Sequence, residues 1–360
     1  MSADFDSPRF RQLLQQLSDQ PCPDEPDAWP AEQLARMASA GVMQWDAPKE
    51  FGGLDLLPSE MLTGLQHLAS ACLVSTFVLT QRSAAVRRIA TSECIAAREQ
   101  LLPGLVDGTT FATVGISHLT TSGQHLAKPL MQVRPDGDGF VLNGLAPWAT
   151  GATQADFLVT GGTLSDGREI LAAVPTDRQG VEVAPPVQLL GLNASQTGAV
   201  RLNEVLVTAD EVLHGPVASV MQQGTGGGAG SLGTSALAVG FTDGMLSQME
   251  AELQRRPDLC EFVSPLTEDC RNLQLEIRQA AAGDHPDGIL AVEQLRRRAN
   301  SLVLRTAQSW LAVTKGAGYV AGHPAERAVR ESMFFLVWSC PQPVLAANLR
   351  ELSCLDNHRV

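Results

Sequence analysis

No stretch of this 360-residue sequence is apolar for long enough to span a bilayer, and its start, MSADFDSPRF, carries no apolar signal segment. A soluble, cytoplasmic protein is the expectation. Basic charge is in short supply: 26 Lys and Arg face 39 Asp and Glu, for a formal charge of -13. Nucleic acid and anionic membrane surfaces both call for a basic patch, so neither is expected as a partner. The longest basic run, Arg296-Arg297-Arg298, falls in a helical pattern and reads as a solvated face. Seven cysteines are scattered without any CxxC pair, which leaves no disulfide framework and no structural metal site in view. Internal repeats are absent.

What is present is an ordinary globular composition, 44% hydrophobic and 18% charged, in a chain long enough for several domains. Three zones follow one another. Residues 1–110 carry helical periodicity, as in FRQLLQQLSDQ, AEQLARMASAG and EMLTGLQHLASACLVSTFVLTQRSAAVRRIA. Residues 111–215 read as strands: DGFVLNG, EILAAVP and TGAVRLNEVLV are β-rich runs bounded by turn residues. Residues 216–360 return to helices, with Pro324 placed as a first-turn residue for PAERAVRESMFFLVW. The expected class is α+β: an N-terminal helical domain, a middle β-barrel or sandwich, and a C-terminal four-helix bundle.

The glycine run GTGGGAG, Gly224 to Gly230, loosely fits a dinucleotide fingerprint. That motif works only where a strand runs into a helix within a βαβ unit. No parallel α/β pattern surrounds it here, and a flexible linker is the better reading.

Five local sequences stand out, in this order: APKEFGG, REQLLPGLVDGTTFATVG, GDGFVLNGLAPWATGATQADFLVT, LLGLNASQTGAVRLNEVLVTADEVLHG and KGAGYVAGHPAERAVRES. Together they resemble those of the acyl-CoA dehydrogenase superfamily. The resemblance covers nearly the whole chain, although the C-terminal end is short. It implies FAD held between the β-domain and the C-terminal helices, a small-molecule or acyl-CoA-like substrate, and a homodimer or homotetramer. Trp148 would lie against the flavin, and Thr150 would offer a hydroxyl or backbone N–H to it; the alternative is a Trp filling the barrel edge and a Thr in a turn. Ser117 and Ser122 are the nearest hydroxyls to those of the family's flavin-side loop, whose Thr-Glu-Pro core is missing here. His118 and His125 are newcomers in that loop, and His118 is a candidate for a role in the reaction because imidazole titrates near neutral pH. Arg256 stands where relatives contact a neighbouring subunit's cofactor, without the Phe-Gly that normally follows. Gly316 and Gly318 keep a loop that approaches a neighbour's cofactor, and they equally suit a helix stop.

The largest departure is in FFLVWSCPQPV. The resemblance places Ser339 where relatives carry the catalytic Glu, with Cys340 after it, and the second known position for that base also lacks a carboxylate. A hydroxyl cannot take an α-proton unaided, and a thiol among neutral neighbours tends to be inert. Ser339 and Cys340 are therefore candidate catalytic residues, and SCPQP is equally a helix end before proline. Three functions remain open. The first is an FAD-dependent oxidoreductase acting on an acyl thioester or related small molecule with a non-standard base. The second is a flavin-dependent monooxygenase working through a C4a-hydroperoxide, and the third is a non-catalytic binding or assembly relative.

Overall fold

The computed structural model of the chain describes residues 4–122, 128–224, 232–283 and 289–355. Helices α1 (Pro8–Asp19), α2 (Ala31–Ser39), α3 (Pro58–Ala71), α4 (Leu73–Ala90) and α5 (Ile95–Asp107) come first. Strands β1 (Ala112–Gly115), β2 (Met131–Asp136), β3 (Gly139–Thr150), β4 (Phe157–Leu164), β5 (Glu169–Pro175), β6 (Val181–Val183), β7 (Thr197–Val207) and β8 (Val212–Val217) follow, with the short helix α6 (Ser117–Thr120) after β1. Helices α7 (Leu232–Arg255), α8 (Cys260–Ala282), α9 (Ile289–Gly318), α10 (Pro324–Ser332) and α11 (Gln342–Leu352) complete the described chain. The class is α+β, helices flanking a central sheet domain, as the periodicity led one to expect. None of the described helices is long and apolar enough to cross a membrane.

The strands pair in the order β6-β7-β3-β2-β4-β5-β8, with β1 parallel to β4. The sheet is covered on both sides, and alternation along β5 shows how. Ile170, Ala172 and Val174 point into a core closed by Val200, Leu202 and Val205 of β7. Leu171 and Ala173 point the other way, onto Val86 and Ile89 of α4 and Leu102 and Leu105 of α5. Successive residues of a strand face opposite sides, so two buried faces require an apolar run with no polar member, which is what Ile170 to Val174 supply.

A third core joins helices from both ends of the sequence, among them Leu65 and Leu68 of α3, Phe77 of α4, Leu237 and Val239 of α7, and Leu302 and Val303 of α9. The helix α4 therefore serves two cores, one through Phe77 and one through Val86. Close approach of α3 and α7 depends on Gly240 and Gly244. A Cβ on either would stand 2.3 Å from the carbonyl oxygen of Gln66 or Ser70 respectively.

Local breaks depart from the periodicity. The long helical pattern from Glu60 onward is interrupted at Cys72, whose backbone is extended (φ -157°, ψ 105°), and becomes α3 and α4. The pattern begun by Pro324 ends at Ser332 and gives way to a 3-10 turn over Met333–Leu336. The expected solvated face at Arg296-Arg297-Arg298 is corrected at its first member: Arg296 is 0% exposed. Its position explains this, since Leu295, Ala299, Leu302 and Val303 define the buried side of α9 and Arg296 lies one step from Leu295 on that side. The proposed linker over Gly224 to Gly230 lies outside the described residues from 225 onward, and His125 lies outside them as well.

Candidate active site

A cavity of ≈ 730 Å³ opens where α4, the β1–α6 loop, the ends of β3 and β7, and the segment after α10 meet. Each wall follows from local structure. From α4 come Phe77, Thr80, Gln81, Ala84 and Arg87, positions three, four and seven apart that share one helical face. From the sheet come Trp148 and Thr150. Between Ala146 and Ala149 the pairing of β3 with β7 slips in register, and Trp148 sits in that irregularity. A bulge frees a side chain from strict alternation, and here the indole remains 50% exposed on the cavity wall.

Thr150 is held firmly. Its carbonyl accepts a 2.7 Å hydrogen bond from the Thr113 hydroxyl, and its own hydroxyl shares a 3.0 Å bond with that of Thr197. Thr197 in turn shares a 2.8 Å bond with the Ser195 hydroxyl. This buried chain of hydroxyls places polar groups at the cavity floor in fixed positions. Ser117 and Ser122 also line the cavity, and Ser117 Oγ is buried without a hydrogen-bond partner. An orphaned buried hydroxyl facing a cavity calls for a ligand atom or water.

The third wall is Met333, Phe334, Leu336, Val337, Trp338 and Ser339. Phe334 stacks on Trp338 with ring centres 5.0 Å apart, and Phe77 meets both edge-on at 4.7 and 5.0 Å. Beneath them Arg296 Nη2 donates to the carbonyls of Trp338 (2.9 Å) and Phe335 (3.3 Å). Burial pushes the Arg296 guanidinium down to about 10, still well above neutrality, so it stays charged. Ser339 then adopts φ +46°, the left-handed region that a serine seldom occupies, and presents itself to the cavity. Sequence reasoning missed Arg296 because its run of three looked solvent-facing. The heptad-like spacing of buried residues in α9 was the available signal.

The remaining sequence candidates go elsewhere. His118 is buried, and its Nε2 donates to the Gly161 carbonyl at 2.8 Å; it is not among the residues that line the cavity. Burial lowers its pKa, which the Gly161 bond only partly opposes, so the ring is neutral at pH 7. Cys340 is half-buried behind the wall, with Asn348 Nδ2 4.0 Å from Sγ; burial pushes its thiol up and nearby Arg296 offsets part of that. Arg256 is partly exposed at the end of α7 and pairs with Asp258 at 3.2 Å. Gly316 is open to its surroundings, and Gly318 abuts Thr314, where a Cβ would fall 1.9 Å from Oγ1. Both follow Lys315, whose backbone leaves the helix at φ 54°, and they precede Tyr319, which is 80% exposed.

Charge at the cavity is one-sided. Its described lining includes Arg87 and Arg330 and no Asp or Glu. Nor does the sequence contain a carboxylate at 123–127 or 225–231. Arg330 is occupied, gripping Glu326 and Asp24 and donating to the Leu190 carbonyl. Asp24 also accepts from the Asn193 backbone N–H at 2.7 Å. Burial works to raise its pKa, but the Arg330 and Asn193 bonds outweigh that and hold the carboxyl below its usual range. Glu331, also buried, is bound by Arg327 Nε at 2.7 Å. The Asp24–Arg330 pair ties the N-terminal segment to α10, while the Arg327–Glu331 and Arg330–Glu326 pairs lie within that helix. Asp24, Glu326 and Glu331 are thus all engaged in ion pairs.

Three comparisons follow from this geometry. Residues 10–109 match the family model of the acyl-CoA dehydrogenase N-terminal domain. The probable acyl-CoA dehydrogenase YngJ of Bacillus subtilis (strain 168) is 23% identical over 330 residues, covering 86% of this chain and 86% of that protein. Among solved structures, FkbI, for biosynthesis of the methoxymalonyl extender unit of the Fk520 polyketide, superposes with a TM-score of 0.78 at 23% identity over 96% of this chain and 99% of its own. Butyryl-CoA dehydrogenase from Megasphaera elsdenii gives a TM-score of 0.80 at 15% identity, covering 99% of this chain and 100% of its own.

Proposed function

We propose, for a chain that belongs to the acyl-CoA dehydrogenase superfamily, that the cavity binds FAD and that the protein is a flavin-dependent oxidoreductase acting on an acyl thioester or related small molecule without a carboxylate base. The observation that carries this is the meeting of Trp148, Thr150, Ser117 and Ser339 on one cavity. The residues fit the cofactor: an apolar pocket, an exposed indole face, a fixed threonine and an orphaned buried hydroxyl suit a flat, hydrogen-bonding ring system. Bound flavin supplies the redox chemistry. Trp148 covers the ring from water, Thr150 and Ser117 orient it, and Phe334 and Trp338 exclude solvent from the substrate side. Ser339 and the Gln81 side chain can hydrogen-bond a substrate carbonyl but cannot remove an α-proton as a carboxylate does.

The absence of a carboxylate among the described lining residues also favours a second reading, an oxygen-using flavin monooxygenase. Such chemistry needs a sheltered, weakly donating site and no strong base. By the same reading the protein is a homo-oligomer, with the exposed Tyr319 and Val320 beside Gly316 and Gly318 facing another copy.

One experiment separates the alternatives. FAD-loaded protein is mixed anaerobically with short acyl thioesters, and separately reduced by an external donor and exposed to oxygen with them. Anaerobic bleaching is the outcome expected for the dehydrogenase-type reading. Oxygenated product without anaerobic bleaching would replace it with the monooxygenase, and neither result from loaded protein would leave a non-catalytic relative.

A further inference from the structure

The helix α4 carries three arginines in its second half, Arg82, Arg87 and Arg88. They face little opposite charge. Arg82 is 1% exposed, and its Nη2 donates to the Met43 and Leu105 carbonyls. Burial pushes it down to about 10, with Asp46 as the opposing influence. The same Asp46 is the nearest carboxylate to Arg87: Oδ1 lies 3.6 Å from Nε, an ion pair too long for a hydrogen bond. Asp46 Oδ1 and Arg87 Nε are both buried without hydrogen-bond partners. Two guanidinium groups thus share one carboxylate, and Arg88 is a further like charge beside Arg87.

Arg87 itself lines the cavity and retains 34% side-chain exposure. No hydrogen bond joins its guanidinium to any other described residue. The second arginine of the wall, Arg330, is saturated by Glu326 and Asp24. Ser83, one turn before Arg87 on the same face of α4, also lines the cavity. In a chain of net charge -13, a surplus of positive charge with idle donors at the wall of an apolar cavity runs against the general balance. A guanidinium fork with free donors matches a planar or tetrahedral oxyanion, and a partly desolvated setting strengthens that match.

We propose that Arg87, backed by Asp46, is a binding subsite for an anionic oxygen group of the substrate, so that the ligand is an acyl compound carrying a carboxylate or a phosphate rather than a neutral one. This rests on reading the cavity as the substrate site. Arg87 would act in selection of the ligand and not in proton transfer. Asp46, 3.6 Å from the Arg87 Nε, restrains the guanidinium near its root without occupying its outer nitrogens.

The test uses three probes of one acyl length: S-hexanoyl-pantetheine, S-adipoyl-pantetheine and S-hexanoyl-4′-phosphopantetheine. Binding is followed by quenching of the fluorescence of Trp148 and Trp338, which both line the cavity, and FAD content is recorded separately by absorbance. The expected result is that at least one anionic probe binds about tenfold more tightly than the neutral one. Arg87→Gln should erase that preference while changing affinity for S-hexanoyl-pantetheine by less than about twofold, and Arg87→Lys should keep part of it. The adipoyl arm assigns the charge to the acyl tail, and the phosphopantetheine arm assigns it to the carrier. A wild-type protein without the preference, variants that both retain it in full, or equal weakening of the neutral probe would each overturn the proposal. Failure to retain FAD with the anion preference intact defeats the flavin reading alone.

Discussion

At the scale of single residues, Ser339, which the resemblance sets in the place of a catalytic Glu, lines a cavity whose described walls hold no carboxylate. Arg296 fixes the carbonyls before it, and its backbone takes φ +46°. Cys340, the next residue, is half-buried, with its thiol held toward the neutral form. Burial raises the thiol's pKa, so little thiolate exists near neutral pH. Alkylation by iodoacetamide, followed by peptide mass spectrometry, should therefore modify Cys340 several-fold more slowly than the exposed Cys260 and Cys354. Modification of Cys340 ahead of both would mean an activated thiol and reopen it as a nucleophile. The sequence made Ser339 visible through its neighbours, but it could not show Arg87 or Arg296. Each looks like a surface charge until the partner elements, the Asp46 turn for one and the Phe335–Trp338 turn for the other, are folded beside it.

Elements were legible where burial is uniform along them. EILAAVP and TGAVRLNEVLV appear as β5 and β7, because a strand covered on both faces, or one that alternates over most of its length, leaves a local trace. The breaks at Cys72 and after Ser332 left none: apolar periodicity continues through both, and tertiary packing decides where the helix stops. The α3–α7 contact is of the same kind. Gly240 has no room for a side chain against the Gln66 carbonyl, whereas Gly316 has no neighbour within 4 Å. Urea unfolding should show Gly240→Val costing about 1–3 kcal/mol from overpacking, with Gly316→Ala near neutral. Equal midpoints for Gly240→Val and wild type would show that α3 and α7 do not pack at this distance. This contact matters to the site because α3 and α7 both supply lining residues, Met61 and Leu65 from one and Gly233 and Thr234 from the other.

For the molecule as a whole, helices from both ends of the chain close over the sheet, and the cavity lies at their junction. The same burial affects titration. His67, His118 and His214 all have pKa values lowered from the usual 6.5, in each case chiefly by burial. Their rings are neutral in the fold and take up protons on unfolding, so their contribution is fully present above pH 6.5 and is lost as the pH falls below it. The thermal midpoint should accordingly decline between about pH 7 and 5.5, before most carboxylates titrate. Burial raises the Asp243 and Glu331 carboxyls and works the other way, so the decline is compared with that of His214→Gln, and a variant that declines as steeply as the wild type would contradict a contribution from His214.

The central claim is that the cavity bounded by Trp148, Thr150 and Ser339 holds FAD, and flavin absorbance of the purified protein tests it most directly. Protein incubated with FAD and then desalted should retain the flavin band in near-stoichiometric amount, and the double variant Trp148→Ala, Thr150→Ala should lose most of it while remaining folded by circular dichroism. A folded wild-type protein that stays colourless after the same treatment would contradict the account.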